Sequence, residues 1–465
     1  MKINRLHIIS ATVFMSSMIM TGCDSTLDID TPADKISLDD AYDTPESIEA
    51  IHTGLYAKNF LGNNVYHSHI PVYLSFFSDD LKHSNSGTYG VYFSNQYIES
   101  TDICGNFWNY EYSSIYRSNS FIDNVTGFNG LSEGTKNFYL ASAYSFRALD
   151  YFYLTNVYGD VPLVLNSTDI NGNATKPRAA QSQVYAQIEA DLLKAAALFG
   201  EEDHGVTNFS ANSCYALLSR VYVYTEQWDK AIEYANKLIP VADGGSGKKY
   251  QLEEIEKVYK ASSREAIFSA NMEGYSGSGT YVGYTREGNM FVPSKNTVTY
   301  TLTNCIVDIL QNDKRSAWIA NNNGIYYPYK YKNRANQTDA DNYEYQNWFR
   351  LTEMYLCRAE ALAHKGDLAG AVADVNKIRR RAGISELDAQ LMTQEDVLDA
   401  ILEERHKEFF CEMGHRFFDL RRTGKMAEVY SRLDWKQPWE QYRQYLPISE
   451  TELYANPNLV QNDEY

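Results

Sequence analysis

Apolar positions recur at helical spacing through much of this chain. Leu140, Tyr144, Ala148, Tyr151 and Leu154 form one stripe within Lys136–Val157, and Gly159 and Pro162 follow where a helix should end. Val184, Ile188, Leu192 and Ala195 repeat the pattern over Ser182–Phe199. No proline occurs between Pro328 and Pro438, and Leu351–His364, Leu368–Ala382 and Glu395–Cys411 within that interval are each amphipathic. Near the start, Pro45 with Glu46 and Glu49 reads as a first helical turn. Two regions share a finer design. Ser219 precedes Ala231, and Ala359 precedes Ala371, by the same spacing across short turns at Glu226–Trp228 and Lys365–Asp367. Small residues at that spacing let two antiparallel helices approach closely, as in tetratricopeptide-like hairpins. The prediction is a mainly α fold: a helical-hairpin scaffold with an irregular, loop-rich part.

That irregular part is predicted at about 241–345, where Gly, Asn, Ser and Tyr replace long periodic stretches. Ordered loops carried on a rigid scaffold are where binding usually resides. The scaffold is predicted at about 46–240 and 346–465, together one domain over 46–465.

The N-terminus follows another pattern. Lys2 and Arg5 precede an apolar run, Ile8–Met20, of signal-peptide length. It ends in Met20-Thr21-Gly22-Cys23, which resembles a bacterial lipobox. A signal peptide over 1–22, lipidation of Cys23 and a polar tether over 23–45 are expected. Several acyl chains make such an anchor stable, and no other segment is apolar enough to span a bilayer.

Net charge is −18, and −20 once Lys2 and Arg5 are removed (−18 − 2), which disfavours nucleic acid as a partner. The cysteines after Cys23 are Cys104, Cys214, Cys305, Cys357 and Cys411, odd in number and widely spaced, so neither a disulfide framework nor a zinc site is predicted. Aromatic residues make up 14% of the chain, with 38 Tyr. Tyrosine pairs a rigid apolar ring with one polar handle, which suits recognition of polar, flat ligands such as sugars.

Catalytic motifs fail on inspection. Gly244–Lys249 lacks the spacing and hydroxyl of a phosphate loop, and Gly274–Ser278 lacks the last glycine of a nucleophile elbow. His67 and His69 with Asp79, Asp80 and His83 fix no metal geometry. The charged block of Glu404, Arg405, Glu408, Arg416, Asp419 and Arg421 lies beside Phe409, Phe410 and Phe417, and is expected to be a buried ion-pair network. Arg147 and Glu360 are expected to be structural too.

Several blocks, taken in order, resemble the SusD/RagB family of outer-membrane nutrient-binding lipoproteins. They are Cys23 with Leu27-Asp28, Ala141–Leu149 running into Tyr158–Leu163, Arg350–Leu356 with Arg358–Ala361, Asn376–Arg379 with Arg381–Gly383, Glu404–Arg405 with Glu408, Arg416–Leu420 with Arg422, Leu446–Ile448, and Asn456–Asn462. The resemblance implies a tetratricopeptide-like superhelix anchored at the cell surface of the outer membrane. It further implies a SusC-like TonB-dependent transporter as partner, an oligosaccharide ligand, and neither catalysis nor a cofactor. A peptide-binding role of the RagB type and a purely structural lid are the alternatives. The chain is short for the family, so some binding loops are expected to be trimmed.

The family's site tends to combine the segment after its first acidic block with the mid-chain loops. That nominates Asp80, Lys82, Asn85, Tyr89 and Tyr92, together with Tyr281, Tyr284, Arg286 and Tyr300, and with Trp318 and Tyr326 as platforms. Trp108, Trp228 and Trp348 are assigned to packing. A neutral glycan on such a site should bind with micromolar to millimolar affinity, about −8 to −4 kcal/mol, with little salt dependence.

Overall fold

Thr44 opens the first helix by accepting a hydrogen bond on Oγ1 from Ser47 N at 3.1 Å. Pro45 then takes the position where a missing N–H costs nothing. The computed structural model describes residues 40–60, 70–271, 274–276 and 279–465. The expected signal peptide, Cys23, most of the tether, His67 and His69 lie outside the described residues. The chain divides into two units, 1–48 and 49–465.

Helix α1 (Pro45–Phe60), most of which belongs to the second unit, is followed by the buried turn α2 (Leu74–Phe77), strand β1 (Leu81–His83) and helix α3 (Ser86–Phe93). Three long helices come next, α4 (Asp102–Thr126), α5 (Glu133–Tyr158) and α6 (Gln181–Phe199), packed side by side. Ser132 caps α5 by accepting from Thr135 N at 3.2 Å. Gly159 ends it at φ +81°, where a side chain would be strained. Helix α5 is buried on every side from Tyr139 to Tyr158 because helices cover both flanks. Arg147 explains how a charge survives there. Its fork reaches Asp191 of α6 at 2.7 and 2.8 Å, and Nη1 donates to Asn119 of α4 at 2.8 Å.

The two predicted hairpins follow. Helices α7 (Ala211–Tyr224) and α8 (Trp228–Asn236) approach so closely that Ser219 Oγ donates to the Ala231 carbonyl at 3.1 Å. Beyond the loop-rich part, α10 (Leu351–His364) and α11 (Leu368–Ala382) pack with Ala359 and Ala371 fully buried. Trp228 stacks flat on His364, centroids 4.1 Å apart, and so joins the two hairpin turns. Trp108 and Trp348 are also packed inside.

Among the described residues, 241–345 hold only short elements, including β2 (Ala266–Ala270), β3 (Gly274–Ser276), β4 (Gly279–Tyr281), α9 (Arg286–Phe291), β5 (Tyr300–Leu302), β6 (Ile319–Asn322) and β7 (Ile325–Pro328). Strand β8 (Gln346–Arg350) pairs with β2 and leads directly into α10. The C-terminal part adds α12 (Gln394–Phe409), α13 (His415–Arg422) and α14 (Met426–Tyr430).

An ionic core joins the loop-rich part to the scaffold. Arg350 reaches Glu265 at 3.0 Å and Glu412 at 3.1 Å, and also pairs with Glu408. Arg315 reaches Asp313 and Glu404 at 2.7 Å and Glu408 at 3.0 Å. Arg381 and Lys330 pair with Glu265 and Glu412 respectively. Burial pushes the Glu408 carboxyl up, but the guanidiniums of Arg381, Arg350 and Arg315 outweigh it and hold the group well below the usual carboxylate range. Arg405–Asp419, Arg416–Asp79 and Arg422–Glu360 continue the pattern. Arg421 departs from it by donating to the amide and carbonyl oxygens of Asn156 instead of an acid.

Candidate functional site

Two segments far apart in sequence meet in one short ribbon. Strands β1 and β5 pair antiparallel with Leu81 opposite Leu302, Lys82 opposite Thr301 and His83 opposite Tyr300. Side chains alternate along a strand, and directly opposite residues share a face. His83 and Tyr300 therefore lie on one face of the ribbon, and Lys82 on the other.

The His83 face is aromatic. Tyr89, from α3, stacks on His83 with centroids 3.8 Å apart and planes inclined at 26°. Tyr300 meets His83 edge-on at 5.0 Å, rests over Phe76 of α2 at 6.1 Å and touches Phe291 of α9 at 5.4 Å. His83, Tyr89 and Tyr300 are half-buried, while residues 84–88 and 294–297 around them are exposed. Asn85 fixes the entry to α3. Its Oδ1 accepts from Thr88 N at 3.2 Å, and its own N–H donates to His83 Nδ1 at 3.0 Å. That last bond needs a lone pair on Nδ1, and burial lowers the His83 pKa, so the ring is neutral. Burial pushes the Tyr300 phenol up to about 12, so it stays an O–H donor.

The opposite face of the ribbon presents Lys82. Its ammonium lies 3.4 Å from the centroid of the Trp435 ring, a cation–π contact, and burial lowers its pKa. Trp435 was not among the sequence candidates, because the C-terminal stretch had been assigned to scaffold. Two tryptophans, Trp435 and Trp439, around a proline in a non-helical stretch were the available signal.

The other candidates divide. Tyr92 touches this cluster but is 6% exposed, and its hydroxyl donates to Asp102. Tyr326 is exposed on the β6–β7 hairpin, which packs alongside β5. Arg286 begins α9, whose Phe291 abuts Tyr300, and Tyr284 is half-buried just before it. Tyr281 ends β4, and its side chain lies outside the described residues. Two candidates are corrected. Trp318 is 1% exposed and donates Nε1 to the Ile255 carbonyl at 3.0 Å, so it offers no ring face to a ligand. The charged neighbours that suggested a surface, Asp313 and Arg315, belong to the buried ionic core. Asp80 is likewise buried, bonded to His406 Nε2 at 2.7 Å and accepting from Cys411 N at 3.4 Å.

Asp79, Asp80 and His406 bring ligand-type atoms within 4.8 Å of one another. Each already has a protein partner, Asp79 being gripped by the Arg416 fork at 2.7 and 2.8 Å. The Arg416 guanidinium already grips Asp79, and a dication would have to displace it.

Two cavities lie elsewhere. One of about 320 Å³ is lined by Tyr224, Trp228, His364, Leu398 and Leu402 between scaffold helices. Another of about 610 Å³ is lined by Arg178, Tyr442, Tyr445 and Asn462 near the C-terminus. Neither includes a nominated residue. The candidate site is an open aromatic face with a polar rim.

A helical-hairpin scaffold that carries a loop-built aromatic face defines the class. Residues 234–465 match the profile described as "SusD family", and residues 27–223 match one described as "Starch-binding associating with outer membrane". The chain belongs to the SusD family. It is 24% identical to a SusD-like protein of Formosa agariphila over 95% of both chains. It is 34% identical to the starch-binding protein SusD of Bacteroides thetaiotaomicron over 25% of this chain and 21% of that one. A SusD superfamily protein of Bacteroides vulgatus superposes with TM-score 0.77 at 20% identity, covering 91% of this chain and all of that one. A laminarin-binding SusD-like protein superposes with TM-score 0.74 at 25% identity and the same coverage. Among the described residues no helix is long and apolar enough to cross a membrane.

Proposed function

We propose that this chain is a non-catalytic surface lipoprotein that captures an oligosaccharide on the His83–Tyr89–Tyr300 face and passes it to a TonB-dependent transporter. The observation that carries the reading is the face itself. It offers half-buried, neutral aromatic rings in a rigid packed cluster, fringed by the exposed amide of Asn85 and the hydroxyl of Thr88. Sugars present apolar ring faces and a rim of hydroxyls, and this arrangement suits both. The starch- and laminarin-binding names of its relatives support the same ligand class. Attachment is through acyl chains on Cys23, which leaves the folded part free in water beside the transporter. Binding is weak, in the micromolar to millimolar range, so ligand is released onward.

Calorimetric titration of starch- and laminarin-type oligosaccharides tests this. Saturable binding that is lost in Tyr89→Ala and Tyr300→Ala, with melting temperature largely kept, is expected. Binding that survives both substitutions overturns the assignment of the face, and binding of peptides alone overturns the ligand class.

A further inference from the structure

Arg286 differs from nearly every other arginine in the molecule. Arg147, Arg220, Arg315, Arg350, Arg405 and Arg422 are each matched to a carboxylate. Arg178 and Arg421 are instead satisfied by carbonyl and amide oxygens. Among the described residues, only Arg286 and the exposed Arg264 have side chains with neither an ion pair nor a hydrogen bond. Arg286 is half-buried, and its Nε is enclosed with no acceptor. An enclosed guanidinium N–H without an acceptor loses hydration and gains nothing in return.

The place is built, not frayed. Gly288 lets α9 press against the neighbouring chain, since a Cβ there would fall 2.2 Å from the Asn333 carbonyl oxygen. Asn289 Nδ2 donates to the Arg334 carbonyl at 3.0 Å, and Arg334 Nε donates to the Val292 carbonyl at 3.0 Å. These bonds hold a second cation, Arg334, beside the same short helix, again without an ion pair. Lys295, four residues past the end of α9, is exposed. The nearest acid in sequence, Glu287, points inward and accepts from Gln346 Nε2 at 2.5 Å. Phe291 of this helix abuts Tyr300, so the cationic corner borders the aromatic face.

We infer that Arg286, supported by Arg334, receives an anionic substituent of the glycan, a carboxylate or a sulfate ester, while the sugar rings lie on Tyr89 and Tyr300. Either group supplies the planar or forked oxygens that a guanidinium matches. The inference rests on the glycan-capture reading and narrows its ligand class to acidic glycans. In a chain of net charge −18, a positive corner also sets where an acidic chain docks, because the rest of the surface repels it.

The test titrates the full chain, held in detergent, with three probes of similar length: an oligogalacturonide, a sulfated galactan oligosaccharide and a neutral laminari-oligosaccharide. One or both acidic probes should bind roughly tenfold or more tighter than the neutral one. That advantage should shrink severalfold between about 50 mM and about 500 mM salt. Arg286→Gln should erase the advantage with the melting temperature kept, and Arg286→Lys should restore part of it. Which acidic probe responds separates uronate from sulfate. Equal binding of all three probes, or an advantage untouched by Arg286→Gln, overturns the inference and leaves glycan capture standing. Absence of binding by every sugar, with or without binding of an acidic peptide, overturns both.

Discussion

The ionic core around Arg350 and the corner around Arg286 use the same residue type to opposite ends. Arg350 is 2% exposed and meets Glu265, Glu408 and Glu412, so its charge is consumed by the fold. Arg286 is half-buried, abuts the candidate face and meets no acid among the described residues. A matched buried charge fixes one arrangement of helices and strands against each other. An unmatched one at an aromatic edge has work left to do for a ligand. The difference shows why a charged residue in this chain says little until its partners are known.

Breaking the core should have the largest effect. Arg350→Met removes the cation that three buried carboxylates share and leaves them only Arg315, Arg381 and Lys330, and a loss of about 3–5 kcal/mol is expected in urea unfolding. Trp318→Ala should cost a similar ~3–5 kcal/mol in the same assay, with oligosaccharide affinity unchanged in the protein that still folds. A specific loss of affinity without loss of stability would return Trp318 to the binding site.

Glu287, on the buried side of α9, sharpens the contrast. It is fully buried with Oε2 unpartnered, and burial raises its carboxyl to about 7. The folded value lies above the unfolded one. Its contribution is therefore complete below the unfolded carboxylate range and is lost as pH rises through about 7. Glu287→Gln should remove that loss, making the variant more stable than the parent at pH 8 by roughly 3 kcal/mol and little different at pH 4. Thermal unfolding at the two pH values checks this, and equal stability at both would mean that the carboxyl ionises freely.

The ribbon supplies a smaller effect. Lys82→Ala removes the ammonium from Trp435 on the face away from Tyr300, so oligosaccharide affinity should change less than about twofold, whereas Tyr300→Ala should cost roughly tenfold or more. If Lys82→Ala matches Tyr300→Ala, the ligand contacts both faces of the ribbon and Trp435 joins the site.

Much of the scaffold was legible in the sequence because helix periodicity and close packing leave local marks. Ser219 with Ala231 and Ala359 with Ala371 are small where two helices must touch, and the hairpins form there. The candidate face was half legible. Tyr89 and Tyr300 could be nominated from composition and family resemblance, but nothing local announced that β1 would pair with β5 across so long a stretch of chain. Exposure was the illegible quantity. Trp318 and Asp80 have the right chemistry for a sugar site and are enclosed by neighbours far away in sequence, Ile255 for one and His406 for the other. Trp435 was overlooked for the converse reason, as it sits in a region whose periodic neighbours spoke for scaffold.

Backbone hydrogen exchange with and without a saturating oligosaccharide tests the central claim most directly. Ligand protection should be confined to residues 81–93 and 284–302, with the hairpins at 211–236 and 351–382 unchanged. Protection centred on the hairpins, around the cavity lined by Trp228 and His364, would contradict capture on the aromatic face.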